Sequence, residues 1–175
     1  TQGWTGKSGS IAGATTIQAG FDEVASGSRV YSADEADVIV YVIGEVPYAE
    51  WLGDFRSGDF NDKFITSAAY AGNQFGSTSQ DLSKIQNWKN SGKEVLVVLI
   101  TGRPLPITSL IESSSAFVVA WLPGSEGAGV ADVLFGDVKP TGKLPHTWPK
   151  DATQIPINEG DGKEGLYPYG YGLTY

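Results

Sequence analysis

Three short runs of apolar, largely β-branched residues set the narrowest limits on the fold: VIVYVI at 38–43, VLVVLI at 95–100 and AFVVAWL at 116–122. Each is strand-sized, lacks polar alternation and runs into a glycine or proline within two residues. Runs of this kind read as strands of a parallel sheet buried on both faces. Helix-like stretches lie between and after them, at 15–25, 80–90, 107–112 and 127–135. In the second of these Leu82, Ile85 and Trp88 follow helical spacing, and Ser91-Gly92 ends the helix before the next strand. Strand and helix in alternation imply βαβ crossovers and an α/β fold: a three-layer sandwich, its mainly parallel sheet flanked by helices.

Beyond Gly136 the character changes. The tail is rich in proline, glycine and aromatics (KPTGKLPHTWP, then LYPYGYGLTY), which predicts extended segments and turns along the edge of the sheet. Residues 52–79 show no period, and a connection of that length without one reads as a functional or disordered loop.

A chemical site in such a fold belongs outside the carboxyl ends of the parallel strands. The segments leaving those ends are GEVPY at 44–48, TGRP at 101–104 and PGSE at 123–126. Glu45 follows directly on the first strand, where apolar surroundings would favour a protonated carboxyl fit to act as a general acid. The plainer alternative is a strand-end carboxylate bonded to backbone amides. Glu50 and Asp54 complete a set of three acids in ten residues. Two carboxyls are the minimum for glycosidic cleavage, but a solvated acidic loop fits the same spacing. Arg103 could orient a carboxylate or tie loops together, and the structural role is favoured. The glycine-rich GSEGAG at 124–129 matches neither phosphate-loop pattern, and Glu126 within it would repel phosphate. Close helix packing with Ser125 as N-cap is the better account. His146, the single histidine, is expected to pack. Trp88, Trp121 and Trp148 are core candidates, while Trp4 and Trp51 could be exposed platforms for a sugar ring.

Charge narrows the partners. With 12 Lys+Arg against 20 Asp+Glu the net charge is -8, which disfavours nucleic acid and anionic membrane surfaces but not a neutral sugar. There is no cysteine and one histidine, so a thiolate or histidine-cluster metal site is excluded, and no cofactor is expected. The first residues lack signal-peptide character. A secreted or periplasmic setting is the expectation, on the weak ground that cysteine and methionine are both absent.

In order along the chain, GEVPYAEWLGD (44–54), LITGRPLPI (99–107), AWLPGSEGAGVADVLFGDVKPTGKLPHTWP (120–149) and LYPYGYGLTY (166–175) resemble the C-terminal sandwich domain of family 3 glycoside hydrolases. The likeness is greatest to the β-glucan exohydrolase and exo-β-glucosidase branch, and Gln2-Gly3-Trp4-Thr5 resembles the element that opens that domain. The resemblance implies that residues 1–175 are most of this domain, without the sheet's first strand and without the N-terminal (β/α)8 barrel that carries the nucleophile. It further implies a retaining exo-acting β-glucosidase whose active site lies between the two domains. This chain alone would then be inactive, its partners being the barrel and a β-linked glucoside. Carried over by motif, Glu45 is the general acid/base with Glu50 as the alternative, and Trp4, Tyr48 and Asp54 bind substrate. Arg103 and Glu126 are structural neighbours of the site. Residues 52–79 depart from the family pattern, which bears on leaving-group specificity. The competing reading is a non-catalytic carbohydrate-binding or scaffolding module.

Overall fold

The computed structural model describes residues 11–45, 65–66 and 78–175. Its strands are β1 (Val38–Glu45), β2 (Ile65–Thr66), β3 (Glu94–Ile100) and β4 (Ala116–Trp121), and its helices α1 (Ile17–Val24), α2 (Thr78–Asn90), α3 (Thr108–Ser113) and α4 (Gly127–Phe135). Among the described residues the sheet order is β2-β1-β3-β4. The last three strands run parallel and β2 is antiparallel to β1. The α/β class and the mainly parallel sheet are therefore as the apolar runs predict. All three runs are strands, and all four helix-like stretches are helices.

The residues divide into two compact units. The larger comprises residues 37–121 and 143–172. Its core consists of Ile43, Ile85, Val95, Val97, Leu99, Leu105, Ile107, Leu110 and Trp148, with Tyr41, Trp88 and Trp121 among the partly buried residues packed on it. Helix α2 connects β1 to β3 and α3 connects β3 to β4, the two crossovers a parallel arrangement requires. Gly92, at φ +83, ends α2, and the amide of Lys93 donates back to the Trp88 carbonyl at 3.0 Å.

Among the strands whose side chains are described, burial on both faces holds for β3 alone. Val95, Val97, Val98 and Leu99 are inaccessible, whereas Val38 and Val40 of β1 are 56% and 36% exposed. Ile39, Tyr41 and Ile43, one face of β1, join the core. An uninterrupted apolar run thus conceals a strand covered on one side far better than on the other.

Residues 143–172 of the tail belong to this unit. Trp148 and Tyr167 form an antiparallel bridge, and Leu144 exchanges backbone hydrogen bonds with residues 170 and 171. The Trp148 indole N–H donates to the Leu105 carbonyl at 2.5 Å. His146, by contrast, is exposed. It lies just before the buried trio Thr147, Trp148 and Pro149, beside exposed Pro145, so the packing role expected of it does not hold.

The smaller unit comprises residues 1–36, 122–142 and 173–175, of which those from 11 onward are described, and it is built on α1 against α4. Thr16 caps α1, its hydroxyl accepting from the Ala19 amide at 3.0 Å. The helices meet at glycines. A Cβ on Gly20 would stand 2.7 Å from the Ala128 Cα, and one on Gly127 would stand 2.3 Å from the Ile17 nitrogen. The close packing read from GSEGAG is present, but the cap is not Ser125. Ser125 donates instead to the Glu126 carboxylate at 2.9 Å, and the Ala128 amide is taken by the Thr15 hydroxyl at 3.0 Å. A residue 113 positions away supplies the capping oxygen, which no local pattern could indicate.

Candidate active site

At the carboxyl edge of the sheet the three parallel strands end level. Gly44 of β1 lies opposite Ile100 of β3, and Ile100 lies opposite Trp121 of β4. Glu45 is the last residue of β1, and its backbone pairs with Ile65 of β2. The short strand β2 falls in the stretch without periodicity, where its two residues are too few to show alternation. Gly44 has its reason in the sheet, since a Cβ there would sit 3.6 Å from the Ile100 Cβ.

Past β3, Thr101 is buried, and its amide donates to the Trp121 carbonyl at 3.1 Å. Its hydroxyl donates to the Arg103 carbonyl at 2.8 Å and accepts from the Arg103 amide at 3.2 Å. The turn carrying Arg103, which is half-buried, is closed by that side chain. Sequence reading passed over Thr101, although Ser and Thr are frequent where a strand gives way to a turn.

β4 ends irregularly. Its register shifts by one residue against the Leu99/Ile100 step, so that Ala120 is extra, and Trp121 takes φ +54. Positive φ is rare for a bulky residue and is sustained only where the surroundings fix it. Here the surroundings are the Thr101 amide and the Trp148 ring, whose centroid is 5.9 Å from that of Trp121. Bulges re-aim the chain beside sites.

Within the smaller unit Glu126 is the exposed N-cap residue of α4, and its amide donates to the Pro123 carbonyl at 2.9 Å. Trp4, Tyr48, Glu50, Trp51 and Asp54 lie outside the described residues, as does the side chain of Glu45. Among the described residues no group of three or more His, Asp or Glu could hold a metal ion. Among the described residues no helix is long and apolar enough to cross a membrane.

A second polar cluster sits behind the edge. The Tyr41 hydroxyl donates to Asp81 Oδ1 at 2.7 Å, and Lys84 Nζ donates to the same hydroxyl at 3.1 Å. Asp81 is fully buried in the first turn of α2, and among the described residues its Oδ2 has no hydrogen-bond partner. Tyr41, the one polar group in VIVYVI, was the available signal; Asp81 lies among mostly polar residues at 78–84 and carried none. Among the described residues the resolved pKa shifts lie away from the edge: Ser115 and Lys89 hold the Glu94 carboxyl low, hydrogen bonds from Thr153 do so for Asp151 and amides of Asn158 and Lys163 for Asp161, and burial raises the Tyr167 phenol.

Residues 2–175 match the family model of the glycosyl hydrolase family 3 C-terminal domain. The chain belongs to glycosyl hydrolase family 3. Curated relatives include a periplasmic beta-glucosidase of Salmonella typhimurium, 34% identical over 169 residues, covering 83% of this chain and 20% of that protein. Another is a lysosomal beta glucosidase of Dictyostelium discoideum, 33% identical over 174 residues, covering 93% and 18%. Among solved structures, the exo-1,3/1,4-beta-glucanase of a Pseudoalteromonas species superposes with a TM-score of 0.73 at 35% identity, covering 94% of this chain and 21% of that one. This family 3 chain thus spans about a fifth of the length of these relatives. The resemblance read from its motifs is confirmed, and its family is one of β-glucosidases and β-xylosidases.

Proposed function

We propose that this family 3 domain supplies the general acid/base of a retaining, exo-acting β-glucosidase, and that Glu45 is that residue. The observation that carries the reading is the ending of β1. It brings the backbone of Glu45 to the carboxyl edge of the parallel sheet, level with the ends of β3 and β4, where ligands of open α/β sheets bind. The nucleophile belongs to an N-terminal barrel domain, so the site is shared and the domain is inactive alone. Trp4, Tyr48 and Asp54 contact the substrate, a β-linked glucoside or oligosaccharide, while Arg103 and Glu126 shape the surrounding loops. The protein works in a secreted or periplasmic setting, consistent with the periplasmic and lysosomal relatives.

In the first half-reaction Glu45 protonates the departing glycosidic oxygen as the nucleophile captures the sugar. In the second it takes a proton from the attacking water. Proton transfer of this kind contributes roughly 10²–10⁴-fold, but matters little where the leaving group departs as a stable anion. Comparing the kcat/KM of complete enzymes tests this. Glu45→Ala should be severely slowed on oligosaccharides and far less on aryl glucosides with good leaving groups. Equal losses on both substrate classes, or the substrate-dependent pattern in Glu50→Ala alone, would overturn the assignment.

A further inference from the structure

The connection from α1 to β1 carries a side-chain cluster that the acid/base reading leaves unused. Gln18 and Asp22 stand four residues apart on α1 and so share one face of it. Beyond the helix Gly27, at φ +83, turns the chain back, and the Ser28 amide donates to the Ala25 carbonyl at 2.9 Å. Arg29 thereby returns to that face. Its Nη1 donates to Asp22 Oδ1 at 2.5 Å. The Gln18 side-chain oxygen, turned toward Arg29 as the hydrogen bonds require, accepts from Nη1 and Nη2 at 3.0 and 2.8 Å. The guanidinium held in this way lies over the ring of Tyr31, its Cζ 4.7 Å from the ring centre.

Tyr31 is 89% exposed, the most of any large hydrophobic residue described. A single apolar side chain in water needs no explanation. A ring pinned through one face by an arginine that two other side chains hold, with the rest of its surface open, is a different object: a rigid, flat platform. Pinning removes in advance the rotamer freedom that binding would otherwise cost, and tyrosine offers a large contact area with only two torsions to fix. The surroundings are polar. Asp22, whose side chain is 43% exposed, and the Gln18 amide nitrogen, on the side away from the guanidinium, supply an acceptor and donors one side chain removed from the ring.

Size and charge select the occupant. One ring with a polar rim is too small for a protein partner, which needs a contiguous apolar patch or a large interface. It matches a single pyranose unit whose equatorial hydroxyls leave a flat C–H face. Asp22, Glu23, Asp34 and Glu35 are exposed acids flanking the cluster along the chain, and the net charge is -8, which disfavours an anionic ligand and leaves a neutral one unaffected.

We propose that Tyr31, pinned by Arg29, is a binding platform for one sugar unit of a neutral β-linked glucan, and holds the polymer to this domain. The class of sugar rests on the β-glucosidase reading above; the platform itself rests on the geometry of the four side chains.

The test is affinity electrophoresis of the complete enzyme in gels containing soluble β-glucan, with a saturating glucose-sized inhibitor filling the active site, beside kcat/KM on an aryl glucoside. The unmodified enzyme should be retarded. Tyr31→Ala should weaken its apparent Kd about tenfold, and Tyr31→Trp should preserve it. Arg29→Ala, which keeps the ring but frees it, should lose part of the affinity. Both Tyr31 variants should retain the kcat/KM on the aryl glucoside and the thermal midpoint. Retardation that is the same with and without the Tyr31 ring, or absent from both, overturns the proposal. So does equal retardation by a polyuronate, which would make the guanidinium and not the ring the point of contact. A Tyr31→Ala enzyme slowed equally on the aryl glucoside overturns it as well, the residue then serving the fold or the reaction. An enzyme that cleaves no β-glucoside overturns the functional reading itself. One that cleaves them, with retardation indifferent to Tyr31, overturns only this inference.

Discussion

The hydroxyl of Tyr41 donates a 2.7 Å hydrogen bond to Asp81, a carboxylate with no exposed surface in the first turn of α2. Tyr41 lies four residues before Glu45 on β1, and the pair ties that strand to the helix that follows it. Lys84 reaches the same hydroxyl, and its ammonium lies 5.7 Å from the centre of the Tyr41 ring. Lys84 also pairs with Asp81 at 4.0 Å, but the other oxygen of Asp81 lacks a hydrogen-bond partner among the described residues, so loss of the Tyr41 bond would leave the buried carboxyl poorly satisfied. Tyr41→Phe should therefore destabilise the fold by about 1–3 kcal/mol, the cost of leaving a buried polar group unmet. Urea unfolding of the two proteins reads this as a lower midpoint at unchanged slope.

The meeting of α1 and α4 predicts a contrast among three glycines. Gly20→Ala and Gly127→Ala would each drive a Cβ into backbone atoms, forcing the helices apart at a cost of about 1–3 kcal/mol. Gly129→Ala, in the same helix with nothing within 4 Å of the added carbon, should be neutral or mildly stabilising, since alanine is the better helix former. Thermal unfolding of the three variants checks the order.

Trp148 is 2% exposed, bonded to Leu105 and packed on Trp121. Trp148→Ala should cost about 3–5 kcal/mol, as large aromatic truncations in cores do. Trp148→Phe should cost less but should still leave the Leu105 carbonyl short of its donor. Chemical denaturation separates the two.

Stability should fall at both ends of the pH scale, and the signs differ. The Asp151 and Asp161 carboxyls are depressed in the folded state by the hydrogen bonds they accept. They stabilise above the ordinary carboxylate range, and the contribution disappears as pH falls through their lowered values, from about pH 4 downward. Glu94, lowered by Ser115 and Lys89, acts in the same sense. Tyr167 is raised by burial and by neighbouring Tyr171. Its contribution is complete below about pH 10 and is lost as the pH rises through the raised value. Asp151→Asn and Tyr167→Phe should flatten the acid and alkaline limbs respectively in a plot of unfolding free energy against pH.

What sequence could reveal followed the range over which each feature is determined. The cores of β1, β3 and β4 were legible because a saturated apolar run leaves few alternatives, and α4 because Gly127 and Gly136 punctuate its ends. Strand β2 was not, since two residues have no period and their pairing with Gly44 and Glu45 is decided across about twenty positions of chain. Ser125 looked like a cap by position, yet the oxygen that caps α4 belongs to Thr15. The exposure of His146 depends on which side of the tail meets the core. At the candidate site, the loops could be located from strand polarity, but the bonding of Thr101 to Arg103 and the conformation of Trp121 arise only once β3 and β4 are side by side.

Chemical rescue tests the central assignment most directly. With an aryl glucoside bearing a good leaving group, the complete Glu45→Ala enzyme should form its glycosyl intermediate and stall, and azide, needing no base, should restore turnover and release β-glucosyl azide. Azide rescue of Glu50→Ala with none for Glu45→Ala would contradict the account, and would move the acid/base five residues beyond the end of β1.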